Sequence, residues 1–483
     1  MLNKIRSKLI LNIIFEKLKT RVKLKILKYN KLLLSRLNIS QKDFEDFNIL
    51  KEFNEKFKIK IKDMDITKLN LCNKKFDNKI FDYLTKLRFK ELKELNLNYN
   101  KISDITEFEN IKFEKLKTLL LYQNKISDIK ILEKTNFKEL TNLNLGNNNI
   151  KDISVLLNVK FEKLKKFGLH ENKISDIKIL EKTNFKGLNE LYLSNNNISD
   201  ISVLSNVKFE KLEKLGLSNN KIEDIKILEK ANFKKLYVLT LDSNIISDIR
   251  VLENVEFEKL EYIDLRNNKI SDINILERVN FKKLKEIYLD YNMIKDIRVL
   301  SNVKFEKLEL LGLSGNYISD INVLEKTNFN ELKALYLNNN NISDINILSY
   351  VDFEKLEILA LNNNKISDIN ILEKVNYSEL KALYLNNNNI SDINILSYVD
   401  FEKLDILALN NNKISDINIL KQENFKELKE LYLDHNIISD ISVLSNVDFE
   451  KLKQLNLKDN NFDKNKFSKI IENLKSKITN FTY

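Results

Sequence analysis

An aromatic residue recurs every 24 positions through most of this chain. Phe89, Phe113, Phe137, Phe161, Phe185, Phe209, Phe233, Phe257, Phe281, Phe305, Phe329, Phe353, Tyr377, Phe401, Phe425 and Phe449 open successive units without a slip. A fixed period of this length constrains the fold more tightly than any figure of composition. It requires a stack of similar coils, because one such unit cannot cover its own apolar side, whereas stacked units bury one another.

The unit reads F-x-x-L-x-x-L-x-L-x-x-N-x-I-S-D-I-x-x-L-x-x-V-x, and residues 329–352 show what each position does. Leu335-Tyr336-Leu337 alternates at period two, which predicts a short strand with both leucines on one side. Asn340 ends it, placed to turn the chain and to pair its amide with backbone groups of neighbouring coils. Ser343 and Asp344 read as the start of a helix, a capping hydroxyl followed by an acid in the first turn. Ile345, Leu348 and Val351 are three apart, the spacing of a short helix or 3₁₀ segment that packs inward.

Leu332, Leu335, Leu337, Asn340 and Ile342 together make L-x-x-L-x-L-x-x-N-x-I, which resembles the leucine-rich repeat. The I-S-D-I-x-x-L run that follows resembles the subclass found in bacterial internalins and in a eukaryotic protein phosphatase regulatory subunit. The resemblance covers roughly four fifths of the chain. It implies an α/β fold: a curved leucine-rich repeat solenoid with a parallel β-sheet on the concave face and short helices or 3₁₀ segments on the convex face. It also implies protein binding through the strand side. No phosphatase-contacting residue carries over with it.

Three segments follow. Residues 1–62 predict a basic helical N-terminal cap. Leu9, Ile10, Ile13, Ile14 and Leu18 mark one amphipathic helix, and Leu24, Leu27, Leu32 and Leu34 a second. A third, capped by Ser40, carries Phe44, Phe47, Leu50 and Phe53. Residues 63–460 form the solenoid. Its first repeat, 63–88, is irregular, with Leu69-Asn70-Leu71 as a strand and Asp77 capping a helix with Ile80, Phe81 and Leu84. Residues 461–483 predict a closing helix around Phe467, Ile470, Ile471 and Leu474.

The formal charge is +11, and residues 1–42 hold twelve Lys or Arg against the single acid Glu16. General attraction to an anionic membrane surface or to RNA therefore belongs to that segment and not to the solenoid. Residues 10–27 also resemble an F-box, the helical module that links leucine-rich repeats to cullin ubiquitin ligases, although the leading Leu-Pro and later Trp of that family are missing. Cys72 is the only cysteine, which excludes an internal disulfide and a multi-cysteine zinc site. The apolar run Leu9–Phe15 is broken by Asn12 and has no small-residue cleavage site, so a cytoplasmic protein is expected.

Binding chemistry is expected on the strand face. Its central outward position reads Tyr288, Gly312, Tyr336, Ala360, Tyr384, Ala408 and Tyr432, and the position two residues earlier reads Leu310, Ala334, Ile358, Ala382 and Ile406. The position two later is polar: Asp290, Ser314, Asn338, Asn362, Asn386, Asn410 and Asp434. An apolar-aromatic stripe with a polar margin marks a partner site, and Tyr288, Leu310, Tyr336, Ile358, Tyr384, Ile406 and Tyr432 are its candidate residues. The units also alternate in type, so the duplicated unit is a pair; residues 329–376 and 377–424 are near-copies.

No enzymatic site is expected. His170 and His435, the only histidines, lie in distant repeats and supply neither a metal pair nor a base for a nucleophile. The aspartate column from Asp104 to Asp440 reads as helix-start electrostatics and not as calcium ligands, and the asparagine column from Asn100 to Asn460 as structural hydrogen bonding. No cofactor, metal or small-molecule substrate is called for; the expected role is a protein-binding scaffold.

Overall fold

The computed structural model describes residues 41–483 apart from 63, 88, 400, 422–424, 426, 448 and 449. Two of the expected N-terminal helices, and nearly all of the basic segment, lie outside the described residues. The chain divides into two compact units, Met1–Ile198 with Asn206–Lys211, and Ser199–Ser205 with Leu212–Tyr483.

Among the described residues the first unit begins with helix α1 (Gln41–Phe57), followed by strands from β1 (Lys68–Asn70) and β2 (Glu94–Asn96) to β6 (Glu190–Tyr192). The second runs from β7 (Lys214–Gly216) to β17 (Gln454–Asn456) and β18 (Asn480–Thr482). Within each unit consecutive strands are parallel, and from β2 to β17 they pair one 24-residue repeat apart in sequence, as in Leu119↔Leu143 and Leu335↔Leu359; the pairs β1–β2 and β17–β18 are 26 residues apart. Strand positions that repeat every 24 residues therefore form straight columns on the sheet.

The inward positions are closed to water. Phe329, Leu332, Leu335, Leu337, Ile342, Ile345 and Leu348 are all at most 1% exposed. Each such side chain contributes about 1.5–3 kcal/mol by burial, and each is covered by its counterparts one coil away. Val351 is only half-buried, since the chain is already leaving the 3₁₀ segment Asn346–Tyr350 there.

Two local assignments differ by one residue from the sequence reading. The aspartate, not the serine, starts the 3₁₀ segment: Asn346 N–H donates to Asp344 Oδ1 at 2.8 Å, while Ser343 is exposed. The bond spans two residues, the reach of a carboxylate over a tight turn. The turn after the strand is made at Asn339, in the left-handed region at φ 57, and not at Asn340. Asn340 instead ties coils together. Its Nδ2 donates to the carbonyls of Leu313 and Leu337, each at 3.0 Å, and its Oδ1 accepts from Ile318 N–H at 3.0 Å. Asn148, Asn268 and Asn412 repeat the pattern, so the asparagine column satisfies backbone groups that a buried turn would leave unpaired.

The pairwise alternation of units has a physical basis on the surface. Lys355 donates to Glu331 at 2.6 Å within one pair of units. Lys333 and Lys381 reach back to Glu309 and Glu357, each at 2.7 Å, between pairs. Two offset charge ladders thus put opposite signs side by side only when the two unit types alternate.

Among the described residues one helix precedes β1 and another follows β17. Helix α1 buries Leu50 and Phe53, sets the Phe57 ring 4.6 Å from Phe76, and accepts a hydrogen bond at Glu52 from the Tyr83 hydroxyl at 2.8 Å. In the first repeat the strand is Lys68–Asn70, one residue earlier than the expected Leu69–Leu71; Asp77 Oδ1 accepts from Lys79 N–H, and helix α2 (Phe81–Leu84) follows a 3₁₀ turn. At the far end helix α3 (Ser468–Lys477) buries Ile471 and Leu474. Strand β18 then extends the sheet by pairing Leu455 with Phe481, an element with no leucine signature in the sequence.

Candidate functional site

The seven candidate residues all lie on the outer face of the sheet, between β10 (Glu286–Tyr288) and β16 (Glu430–Tyr432). The register aligns Gly312, Tyr336, Ala360, Tyr384, Ala408 and Tyr432 across adjacent strands, and beside them Leu310, Ala334, Ile358, Ala382, Ile406 and Glu430. The tyrosines, Leu310, Ile358 and Ile406 are half-buried, whereas Ala334, Ala360, Ala382 and Ala408 are only 4–7% exposed. Large side chains therefore stand as ridges with alanines at the floor between them.

The four ridges are not equivalent. Tyr288 O–H donates to Glu286 Oε2 at 2.8 Å, and Tyr432 O–H donates to Glu430 Oε2 at 2.7 Å. Glu286 and Glu430 sit two residues earlier on the same strands, on the same face. Tyr336 and Tyr384 have Ala334 and Ala382 at that position, and among the described residues their hydroxyls meet no partner. Burial raises the ionisation range of all four phenols; the bond to Glu430 adds to the effect at Tyr432, which is pushed up to about 12. All four rings are neutral at pH 7.

Charge collects at the two ends of the stripe. At the β10 end Asp264, 2% exposed, holds Arg266, whose guanidinium lies 4.7 Å above the Tyr288 ring. Asp290 covers Gly312 so closely that a Cβ there would collide with its carboxylate, and Asp290 accepts from Ser314 N–H at 2.9 Å. Burial raises the Asp290 carboxyl. At the β16 end Glu430 is joined by Asp434, which His435 Nδ1 approaches at 3.0 Å. Between these ends every outward strand residue from Leu310 to Ala408 is uncharged.

A second recess, not foreseen, lies on the strand face of the first unit. It has a volume of about 410 Å³ and is lined by Asn142, Asn144, Lys166, His170, Glu190 and Tyr192. Gly146 and Gly168 leave the space, because a Cβ at Gly146 would strike the His170 ring. That ring stacks on Tyr122 at 5.5 Å, and burial lowers its pKa, so it is neutral at pH 7. Its signal in the sequence was the pair of glycines in adjacent coils.

The aspartate column caps 3₁₀ segments, as Asp320 and Asp392 do through Asn322 and Asn394 N–H. Among the described residues no group of three His, Cys, Asp or Glu stands close enough to hold a metal ion.

Three segments, 162–206, 210–254 and 258–302, match the family described as Leucine Rich repeats (2 copies). Among solved structures, an internalin, InlF, of Listeria monocytogenes is similar at 30% identity with a TM-score of 0.58, over 72% of this chain and 95% of that one. A leucine-rich repeat protein of Leptospira interrogans is similar at 24% identity and TM-score 0.59, over 80% and 95%. A plant peptide hormone receptor, RGFR1, solved in complex with RGF2, shares the fold at 18% identity and TM-score 0.52, over 86% and 79%. No curated protein sequence matches. These similarities and the stacked coils define a leucine-rich repeat solenoid, an architecture that is typically a non-catalytic scaffold for protein interaction. Within that class, the chain belongs to the internalin-like leucine-rich repeat proteins.

Proposed function

We propose that this protein is a non-enzymatic scaffold that binds a partner protein on the strand face of residues 286–436. One observation carries the reading: half-buried Tyr336, Ile358, Tyr384 and Ile406 form a continuous uncharged apolar stripe, with charged residues only at its β10 and β16 ends. Rows of exposed apolar side chains cost solubility and persist at interfaces, where tyrosine supplies area with little rotamer entropy to lose. The leucine-rich repeat scaffold supports the reading, since its sheet offers a rigid platform. The experiment is capture of the partner from the native cell by the intact chain and by a variant carrying Tyr336→Ser, Ile358→Ser, Tyr384→Ser and Ile406→Ser together. Circular dichroism checks that the variant keeps its fold. Loss of capture by the folded variant is expected; undiminished capture refutes the assignment.

A further inference from the structure

Resting on that assignment of the strand face, we infer that the partner presents an extended, proline-rich segment in the polyproline II conformation, with Lys or Arg at both ends.

The first argument is spacing. Tyr288, Tyr336, Tyr384 and Tyr432 stand on every second strand. With strands about 4.8 Å apart the ridges are about 9.6 Å apart, and the four of them span about 29 Å. A polyproline II helix repeats every three residues, about 9.3 Å, so nine residues advance about 28 Å and stay in step with all four ridges. An α-helix presents the same face after seven residues, about 10.5 Å, and is out of step by about 3 Å at the fourth ridge. A β-strand shows one face every two residues, about 6.7 Å, so it misses the adjacent ridge by about 3 Å and comes near only every second one.

The second argument is hydrogen bonding. A polyproline II segment makes no internal hydrogen bonds and carries carbonyl acceptors with few N–H donors. The two central ridges offer the complement: Tyr336 and Tyr384 are neutral phenols whose O–H groups meet no partner among the described residues. Their rings give prolyl rings an aromatic surface.

The third argument is charge. The central stripe is uncharged, while Glu286 and Asp290, beside the Asp264–Arg266 pair, stand at one end and Glu430 and Asp434 at the other. Glu286 and Glu430 occupy the same column, six strands apart, about 29 Å. That is the length of a nine-residue polyproline II core, which puts flanking basic residues over the two acidic ends.

The test is a fluorescence anisotropy titration of the intact chain with three labelled peptides of equal length, each bounded by Lys-Arg pairs. One has a core of three Pro-Pro-Ala triplets, one a Gly-Ser core, and one a helix-forming Ala-Leu core. The triplet peptide is expected to bind at least tenfold more tightly than the other two. Tyr336→Phe and Tyr384→Phe, which keep the rings, are each expected to weaken it about 2- to 10-fold by removing one hydrogen bond. Equal binding of all three peptides, a preference for the helical core, or indifference to both Phe variants overturns the inference. Should the four-serine variant lose its natural partner while no triplet peptide binds, the polyproline assignment fails and the strand-face assignment stands. Should the triplet peptide bind that variant unchanged, the polyproline assignment fails; should the variant also capture the natural partner undiminished, both fail.

Discussion

Tyr377 is the one opener in the aromatic column, among the described residues, that is not phenylalanine, and its hydroxyl has no place to go. The residue is 1% exposed, and its oxygen is buried without a hydrogen-bond partner. Phe329 occupies the equivalent site of the neighbouring near-copy, also at 1%. The site is thus shaped for a ring without an oxygen, and the hydroxyl loses its hydration with no return. Tyr377→Phe is expected to stabilise its coils by about 1–2 kcal/mol, the desolvation cost of an unpaired buried hydroxyl less the lost packing of one atom. The reverse change, Phe329→Tyr, is expected to cost a similar amount. A long repeat array does not unfold in one step, so the assay is local. Amide hydrogen exchange over residues 377–390 is expected to slow roughly 5- to 30-fold in the Phe variant. The pH dependence gives an independent check. Burial holds the Tyr377 phenol well above its ordinary range, so above pH 10 the unfolded chain releases a proton that the folded chain keeps. Stability therefore falls as pH rises through that range, by up to about 1.4 kcal/mol per pH unit from this group, and the Phe variant is spared that loss. The urea midpoints for loss of protection over residues 377–390 in the two proteins are expected to diverge between pH 9 and pH 11. Unchanged exchange at pH 7 together with a constant midpoint difference across that interval would show that the hydroxyl is hydrated or paired, and the reasoning would fail.

Asn339 and Asn340 predict opposite responses to glycine. Asn339→Gly, at φ 57, is expected to be neutral or stabilising by less than about 1 kcal/mol. Asn340→Gly leaves Ile318 N–H unpaired and takes one of the two donors from the Leu313 carbonyl, which keeps Asn316 Nδ2, and is expected to cost about 1–3 kcal/mol, read as faster exchange at Ile318. The offset charge ladders make deletion length matter: removing residues 377–424 keeps alternating unit types and rebuilds a Glu357–Lys429 pair. Removing 377–400 sets Glu357 beside Asp405 and Lys355 beside Lys403. The shorter deletion is expected to give the lower melting temperature although it removes less core, and added salt is expected to narrow the gap.

Much of this was legible in the residues, and the misses have physical reasons. The strand, its inward leucines and the inter-coil asparagine are each tied to one chemistry by burial, so periodicity reads them directly. The left-handed turn position is not: Tyr99, Gln123, Glu171, Asn339 and His435 all occupy it, because coil closure imposes the conformation on whatever residue stands there. The aspartate cap was mistaken for its serine neighbour because both are exposed polar groups one position apart, and only the geometry of the turn separates them. The charge ladders were equally invisible to a reading of single units, since their logic appears only when two unit types lie side by side.

The difference between the tyrosine ridges is present in the sequence at the residue two before each ring. Residues two apart on a strand share a face, so Glu-x-Tyr predicts a phenol held by its own strand's carboxylate, and Ala-x-Tyr predicts a free one. Glu190-Leu191-Tyr192, Glu286-Ile287-Tyr288 and Glu430-Leu431-Tyr432 follow the first rule, and the hydroxyl meets the carboxylate in each. Ala334-Leu335-Tyr336 and Ala382-Leu383-Tyr384 follow the second. The duplication that produced residues 329–424 therefore copied a ridge with a bare donor and copied the alanine that leaves it bare. A Glu at position 334 or 382 would bind the phenol and add charge to the stripe, so Ala334→Glu with Ala382→Glu is expected to silence the site while leaving every ring in place. Binding that survives those two substitutions would mean that neither the free hydroxyls nor the neutrality of the stripe contributes to recognition, and that the ridges are a relic of copying.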